Sequence, residues 1–173
     1  MRTNCPFGRA FGVVLGIILF GSFAVAQQSD EARYWGQWRG PEASGVSRTA
    51  NPPLEWSETE NIRWKVEIPG RGTGSPVVWG DKVFLLTAIP VGLEGDASHE
   101  PRGGQRSRGV HRFVVMAMNR SDGSVAWEQT VREEVPHEAS HVDNGTWASS
   151  SVVTDGEHLF AYFESRGLYA FDM

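Results

Sequence analysis

The chain of 173 residues has a single cysteine, Cys5, and it lies in a stretch that carries the marks of removal. Without Cys5 the rest of the chain has no disulfide and no thiol ligand, so packing alone must hold the fold. Its position also excludes a lipoprotein, which needs a cysteine at the cleavage site. Helical signals are missing too: between the apolar runs after residue 61, no segment of ten or more residues repeats at helical spacing. That excludes a parallel α/β sheet, whose strands need helices as cover. No Gly-rich loop follows a strand and opens a helix, and no serine sits in a Gly-x-Ser-x-Gly elbow. Basic charge is scarce: 16 Lys and Arg face 21 Asp and Glu, a formal charge of −5. Generic nucleic-acid binding is disfavoured accordingly.

What is present begins with an export signal. Arg2 and Arg9 precede an apolar run over residues 10–23, and Ala24-Val25-Ala26 supplies the small-x-small site that signal peptidase cuts. The run is shorter than the ~20 apolar residues of a spanning helix and is interrupted by glycine. Residues 1–26 therefore read as a signal peptide, the mature chain starts at Gln27, and the product is exported, to the periplasm or cell envelope, with no membrane span. Cleavage leaves 14 of the 16 basic residues against 21 acidic ones, a net charge of −7.

A lead-in at 27–61 is followed by short β-rich runs at 62–68, 76–79, 83–87, 112–118, 125–131, 151–154, 159–163 and 168–171. Gly80-Asp81, Asp122-Gly123 and Asp155-Gly156 separate consecutive runs, as tight antiparallel hairpins require. Val83-Phe84-Leu85-Leu86, Phe113-Val114-Val115-Met116 and Leu159-Phe160-Ala161-Tyr162-Phe163 are continuously apolar, which implies cover on both faces. With no helices to provide it, the cover must come from other sheets stacked face to face.

Internal repetition points the same way. Ser75-Pro76-Val77-Val78, a turn and Val83-Phe84 match Ser150-Ser151-Val152-Val153, a turn and Leu159-Phe160, at an offset of 75 before the turn and 76 after it. Met116-Ala117-Met118-Asn119 matches Tyr169-Ala170-Phe171-Asp172 at an offset of 53, so the first unit holds an insertion, assigned to residues 88–110. The expected fold is all-β: about two four-stranded antiparallel β-propeller blades, blade one over 62–131 and blade two over 146–173. The second stops before its last strand, so the chain reads as part of a larger propeller.

Ala117-Met118-Asn119-Arg120-Ser121-Asp122-Gly123-Ser124-Val125-Ala126-Trp127 resembles the tryptophan-docking pattern of the pyrroloquinoline-quinone-like (PQQ-like) propeller repeat. That repeat is shared by quinoprotein alcohol dehydrogenases and by BamB, the outer-membrane assembly lipoprotein. Asn119 stands where the family usually has Asp, and Asp122 where it has Thr. Trp35-Gly36-Gln37-Trp38-Arg39-Gly40-Pro41, Trp64-Lys65 and Pro69-Gly70-Arg71-Gly72 look like the N-terminal region of large exported members. The resemblance implies structural docking roles for Trp64, Ala117, Gly123, Trp127 and Ala170. It also raises a quinone-dependent oxidoreductase as an alternative, with PQQ and calcium bound in the central channel. A mature chain of two blades without cysteine does not assemble that constellation, so no cofactor is expected for it.

His137-Glu138-Ala139-Ser140-His141 fits the His-Glu-x-x-His zinc pattern in letters. That chemistry needs a helix to aim both imidazoles at one metal, whereas Pro136 and nearby strands leave no room for one. His137, Glu138 and His141, joined by Asp143, remain candidates for a looser metal or ligand contact against the plainer reading of a solvated loop. Arg102-Gly103-Gly104-Gln105-Arg106-Ser107-Arg108 reads as a solvated basic loop. His99, His111 and His158 show no ligand spacing. The expectation is thus a non-catalytic binding or assembly scaffold, with no catalytic residues. Its partners are an unidentified protein or small ligand at the propeller face and the remaining blades of the same propeller.

Overall fold

Gly80 takes a φ of 58° and Gly156 one of 95°, in the left-handed region that glycine enters without a Cβ clash. Each closes a hairpin at the same point of a repeated unit. A computed structural model of the chain describes residues 30–92, 109–139 and 145–173. Around Gly80, β1 (Val77–Trp79) pairs with β2 (Lys82–Pro90). The sheet continues through β3 (His111–Asn119) to β4 (Val125–Glu134), all antiparallel and in chain order. Around Gly156, β5 (Val153–Thr154) pairs with β6 (His158–Tyr162), and β7 (Leu168–Asp172) completes a second, three-stranded antiparallel sheet. Among the described residues the helical elements are the four-residue α1 (Asp30–Arg33) and a 3₁₀ turn at Glu164–Arg166. The all-β expectation holds at this level, with two antiparallel sheets of four and three strands.

Alternation along the strands sorts the apolar residues onto faces. On one face of the first sheet, Val77, Phe84, Leu86, Phe113, Val115 and Ala117 are buried in a common core with Leu159, Ala161 and Phe163 of the second. Phe113 and Phe163 meet edge to face at 5.8 Å. The opposite face of the first sheet gathers Leu85, Ile89, Val114 and Met116 beneath Ile68. Continuous apolar runs on β2 and β3 are thereby explained by cover on both sides. Two irregularities in the pairing of β3 with β4, between Phe113 and Val114 and between Ala117 and Met118, are bulges, which bend and twist the outer strand.

Two stretches of irregular backbone tie the sheets together. Trp35 exchanges both of its backbone hydrogen bonds with Val78 at 2.9 Å, and the carbonyl of Gly36 accepts from the Thr154 amide at 2.8 Å. The lead-in thus clips the first strand of each sheet. Farther along, Arg71 exchanges two 3.0 Å bonds with Ala88, Thr73 donates to the Ala148 carbonyl at 3.2 Å, and Ser75 donates to Ser151 Oγ at 2.8 Å. Gly72 and Gly74 make this approach possible: a Cβ at either would stand 2.2 Å from a backbone oxygen, of Leu86 and of Ser150 respectively.

Several boundaries differ from the sequence reading. Ala88, Ile89 and Pro90 belong to β2 and pair with Phe113, Arg112 and His111, so the insertion assigned to 88–110 begins later. Proline ends the strand because it brings no amide to the ladder. Residues 62–68 pair with no strand among the described residues. The repeat offset is also corrected. Val77 lies opposite Phe84 and Val153 opposite Phe160, so the spacing is 76 on both sides of the turn, and Val153, not Val152, occupies the place of Val77. Matching letters at 75 slipped the register by one, which would exchange the two faces. The signal-peptide assignment at 1–26 lies outside the described residues. No helix among the described residues is long and apolar enough to cross a membrane.

Candidate functional site

Two tryptophans occupy comparable positions. Gly123 closes the β3–β4 turn at a φ of 76°, and the Trp64 ring lies so close that a Cβ there would be 2.6 Å from it. Trp64 Nε1 donates to the Arg120 carbonyl at 2.9 Å, which fixes the ring over the turn. Asp122 stiffens the same turn by accepting from the amide and the hydroxyl of Ser124. Trp127 sits opposite Ala117 in the ladder. Its ring lies 6.1 Å from both Phe84 of its own sheet and Phe171 of the second. Ala117 is fully buried, whereas Ala170, at the equivalent point of β7, is exposed.

The His137-Glu138 candidates fall in a loop at the far end of β4, with no helix among their described residues. The 3₁₀ turn between β6 and β7 swings Arg166 into this loop, where its side chain is wholly buried. Its two terminal nitrogens reach the two oxygens of Glu138, one of them at 3.0 Å. Arg166 Nε lies 3.2 Å from Glu134 Oε1, and the guanidinium stands 4.3 Å from the centre of the Phe113 ring. Burial raises the pKa of Glu138, but the Arg166 hydrogen bonds, reinforced by its own backbone and by charge, overcome that and hold the carboxyl below its ordinary value. Ser165 Oγ adds a 3.2 Å bond to Glu138 Oε1. Trp147 Nε1 donates to the Glu138 carbonyl at 3.2 Å, while the Trp147 ring packs edge-on to His111 at 4.7 Å.

This arrangement gives Glu138 a different part from the one its motif suggests. Arg166 engages both oxygens of the carboxylate, the geometry of an ion pair that ties this loop to the second sheet. His137 is exposed, with Nε2 3.4 Å from Glu138 Oε2. His141 and Asp143 lie outside the described residues, as do His99 and the 102–108 basic stretch. Among the described residues no three His, Cys, Asp or Glu side chains gather in a way that could hold a metal.

The Arg166 latch had no sequence signal, because its partners lie 28 and 32 positions upstream on another loop and strand. The glycine approach did have one: glycine at every second position, 70, 72 and 74, marks backbone pressed against backbone. Where the lead-in meets the first sheet, a cavity of about 420 Å³ is lined by Arg33, Arg48 and Arg120 together with Glu42, Tyr34 and Trp35. Arg48 is already paired bidentately with Glu42, at 2.6 and 3.0 Å. No family model, curated protein or solved structure matches the chain.

Proposed function

We propose that the chain is an exported, non-catalytic part of a β-propeller of the PQQ-like repeat type, acting as a binding or assembly scaffold in the bacterial cell envelope. The observation that carries this reading is the repetition of one unit. The pair Val77 and Phe84 recurs as Val153 and Phe160, 76 positions on, in the same antiparallel register about an equivalent glycine turn. The first strands of both units lie side by side and are clipped by one segment, as blades around a common axis require. The Trp64 ring over Gly123 and the Trp127 ring against Phe171 support this reading, in which both tryptophans have docking roles.

The binding role rests on general grounds. A rigid stack of sheets presents its loops at the strand ends, where recognition residues concentrate. The non-catalytic part of the proposal is this reading's own, supported by the ion pair that engages Glu138 of the motif with Arg166. Expression in a bacterial host followed by N-terminal sequencing tests export: Gln27 at the N-terminus of a periplasmic product supports it, and an uncleaved cytoplasmic chain overturns it. Dye reduction after adding pyrroloquinoline quinone and calcium would overturn the non-catalytic assignment.

A further inference from the structure

The chain carries more acid than base, 21 Asp and Glu to 16 Lys and Arg. The cavity between the lead-in and the first sheet inverts that balance. Its walls hold three arginines, Arg33, Arg48 and Arg120, against one carboxylate among the described residues, that of Glu42. A local surplus of guanidinium in an acidic protein concentrates anions at that spot.

Both sides of the cavity are tied down. On the sheet side, the Arg120 amide donates to the Asp81 carbonyl at 2.8 Å, and its own carbonyl accepts from Trp64 Nε1 at 2.9 Å. The Arg120 side chain thus springs from a fixed base, and its guanidinium forms no ion pair among the described residues. On the lead-in side, Trp35 is pinned to Val78 by two backbone bonds, and the Tyr34 ring leans on Trp79 at 5.2 Å. Arg33 lies 5.7 Å from the centre of the Tyr34 ring. The bidentate pair of Arg48 with Glu42 orders the segment that follows, and Ser47 Oγ accepts from the Ala50 amide at 3.1 Å, which leaves its hydrogen to donate.

We propose that this cavity binds a small organic anion, a carboxylate or phosphate ester on a compact apolar body. Its volume of about 420 Å³ falls within the ~300–1,000 Å³ of small-ligand pockets, more room than a bare inorganic anion fills. Tyr34, Trp35, Val46 and Val78 supply apolar wall for the body to cover. A guanidinium meets either head group with two parallel N–H···O bonds, which is why arginine suits both. Arg120 makes the first contact, since it has no carboxylate to give up. Glu42 competes with the ligand for Arg48, so its charge opposes binding. The inference rests on the scaffold reading for a binding role and names the class of ligand.

Isothermal titration of the full chain with phenylacetate and with phenyl phosphate should give saturable one-to-one binding for at least one of them, which identifies the head group. Benzyl alcohol, a similar body without charge, should not bind, and inorganic phosphate should bind more weakly than the better probe. Arg120→Gln removes a charged hydrogen-bond donor at an exposed position and should weaken binding by about tenfold or more. Glu42→Gln should tighten it. Lys65→Gln, an exposed cation outside the cavity, should leave it unchanged. No binding of either probe, equal binding of benzyl alcohol or inorganic phosphate, or an equal loss in Lys65→Gln and Arg120→Gln would each overturn the inference. If Arg120→Gln changes the circular dichroism, Glu42→Gln decides, and weaker binding there overturns it. Leader cleavage and quinone reduction do not involve this cavity, so a failure here leaves the tests of the scaffold reading standing.

Discussion

The two sheets of this protein are nearly the same sequence pattern in different surroundings. Phe84 and Phe160 occupy equivalent positions, yet the first is 2 % exposed and the second only half-buried. Leu86 is 4 % exposed and its equivalent Tyr162 is 49 %. What differs is the neighbour: the first sheet has the second on one face and Ile68 on the other, whereas among the described residues the second sheet has a neighbour on one face only. Burial here is a property of position in a stack and not of the strand. An apolar run that demands two-sided cover therefore says how many neighbours a sheet is built for.

Paired substitutions break this comparison most directly. Phe84→Ala opens a cavity between the sheets and should cost about 3–5 kcal/mol, the range for removing a buried aromatic ring. Phe160→Ala, at the same point of the repeat, should cost less than about 1 kcal/mol in the protomer, near the range for surface changes. Urea unfolding of the two variants checks both values, and equal losses would show that the sheets are covered alike.

The second largest effect falls where the sheets are latched. Glu138→Ala leaves the buried Arg166 guanidinium with Glu134 as its remaining ion-pair partner, 3.2 Å away. Orphaning a buried charge costs about 3–5 kcal/mol, and the surviving partner sets the expectation near 3. Thermal or denaturant unfolding reads it, with Arg166→Met as the informative second variant. Replacing the arginine by an apolar chain of similar length removes the buried charge and should cost less than Glu138→Ala. If metal binding through Glu138 were its purpose instead, zinc would raise the melting temperature of the wild type and not of the variant.

Those expectations also mark what the sequence could and could not supply. The hairpins were legible because Gly80, Gly123 and Gly156 sit between apolar runs, and the stacking was legible because β2 and β3 have no polar face. That residues 62–68 pair with no strand among the described residues was not, since an extended apolar pattern states a conformation and leaves the partner open. The one-residue error in offset arose from matching Ser-x-Val-Val by letter, when alternation of faces is what a sheet preserves. Nothing local announced that Glu138 would meet Arg166, because the contact exists only once two loops from different sheets share one end of the stack. The His-Glu-x-x-His letters were present, but the described residues 137–139 are not helical, and Glu138 joins an ion pair with Arg166.

A smaller effect tests how closely the sheets are held. Gly74→Ala would place its methyl 2.2 Å from the Ser150 carbonyl oxygen, a backbone atom that cannot swing aside. Overpacking of this kind costs about 1–3 kcal/mol, and the strain falls on the junction between units. Hydrogen exchange should therefore quicken in β1 and β5 before it changes in β3. Uniform quickening would mean that the junction is not a separate weak point.

The smallest effect is a difference in pH response between hairpins of the two sheets. Asp155 accepts from the backbone amide of His158 at 2.7 Å and from that of Glu157 at 2.9 Å, with the His158 ring nitrogen 3.2 Å away. These bonds, the His158 amide foremost, bring its pKa down to about 2. An unfolded aspartate titrates near ~3.9, so the folded form holds its charge more strongly. The contribution is then complete above about pH 4 and is lost as pH falls toward 2. Asp155→Asn should flatten the acid limb of the stability curve over that window and leave stability above pH 5 changed in level but not in slope. The β1–β2 turn lacks this carboxylate cap, because Trp79 stands at the position equivalent to Asp155. Acid should accordingly loosen the β5–β6 hairpin first, and equal amide exchange in both hairpins at pH 3 would remove the distinction.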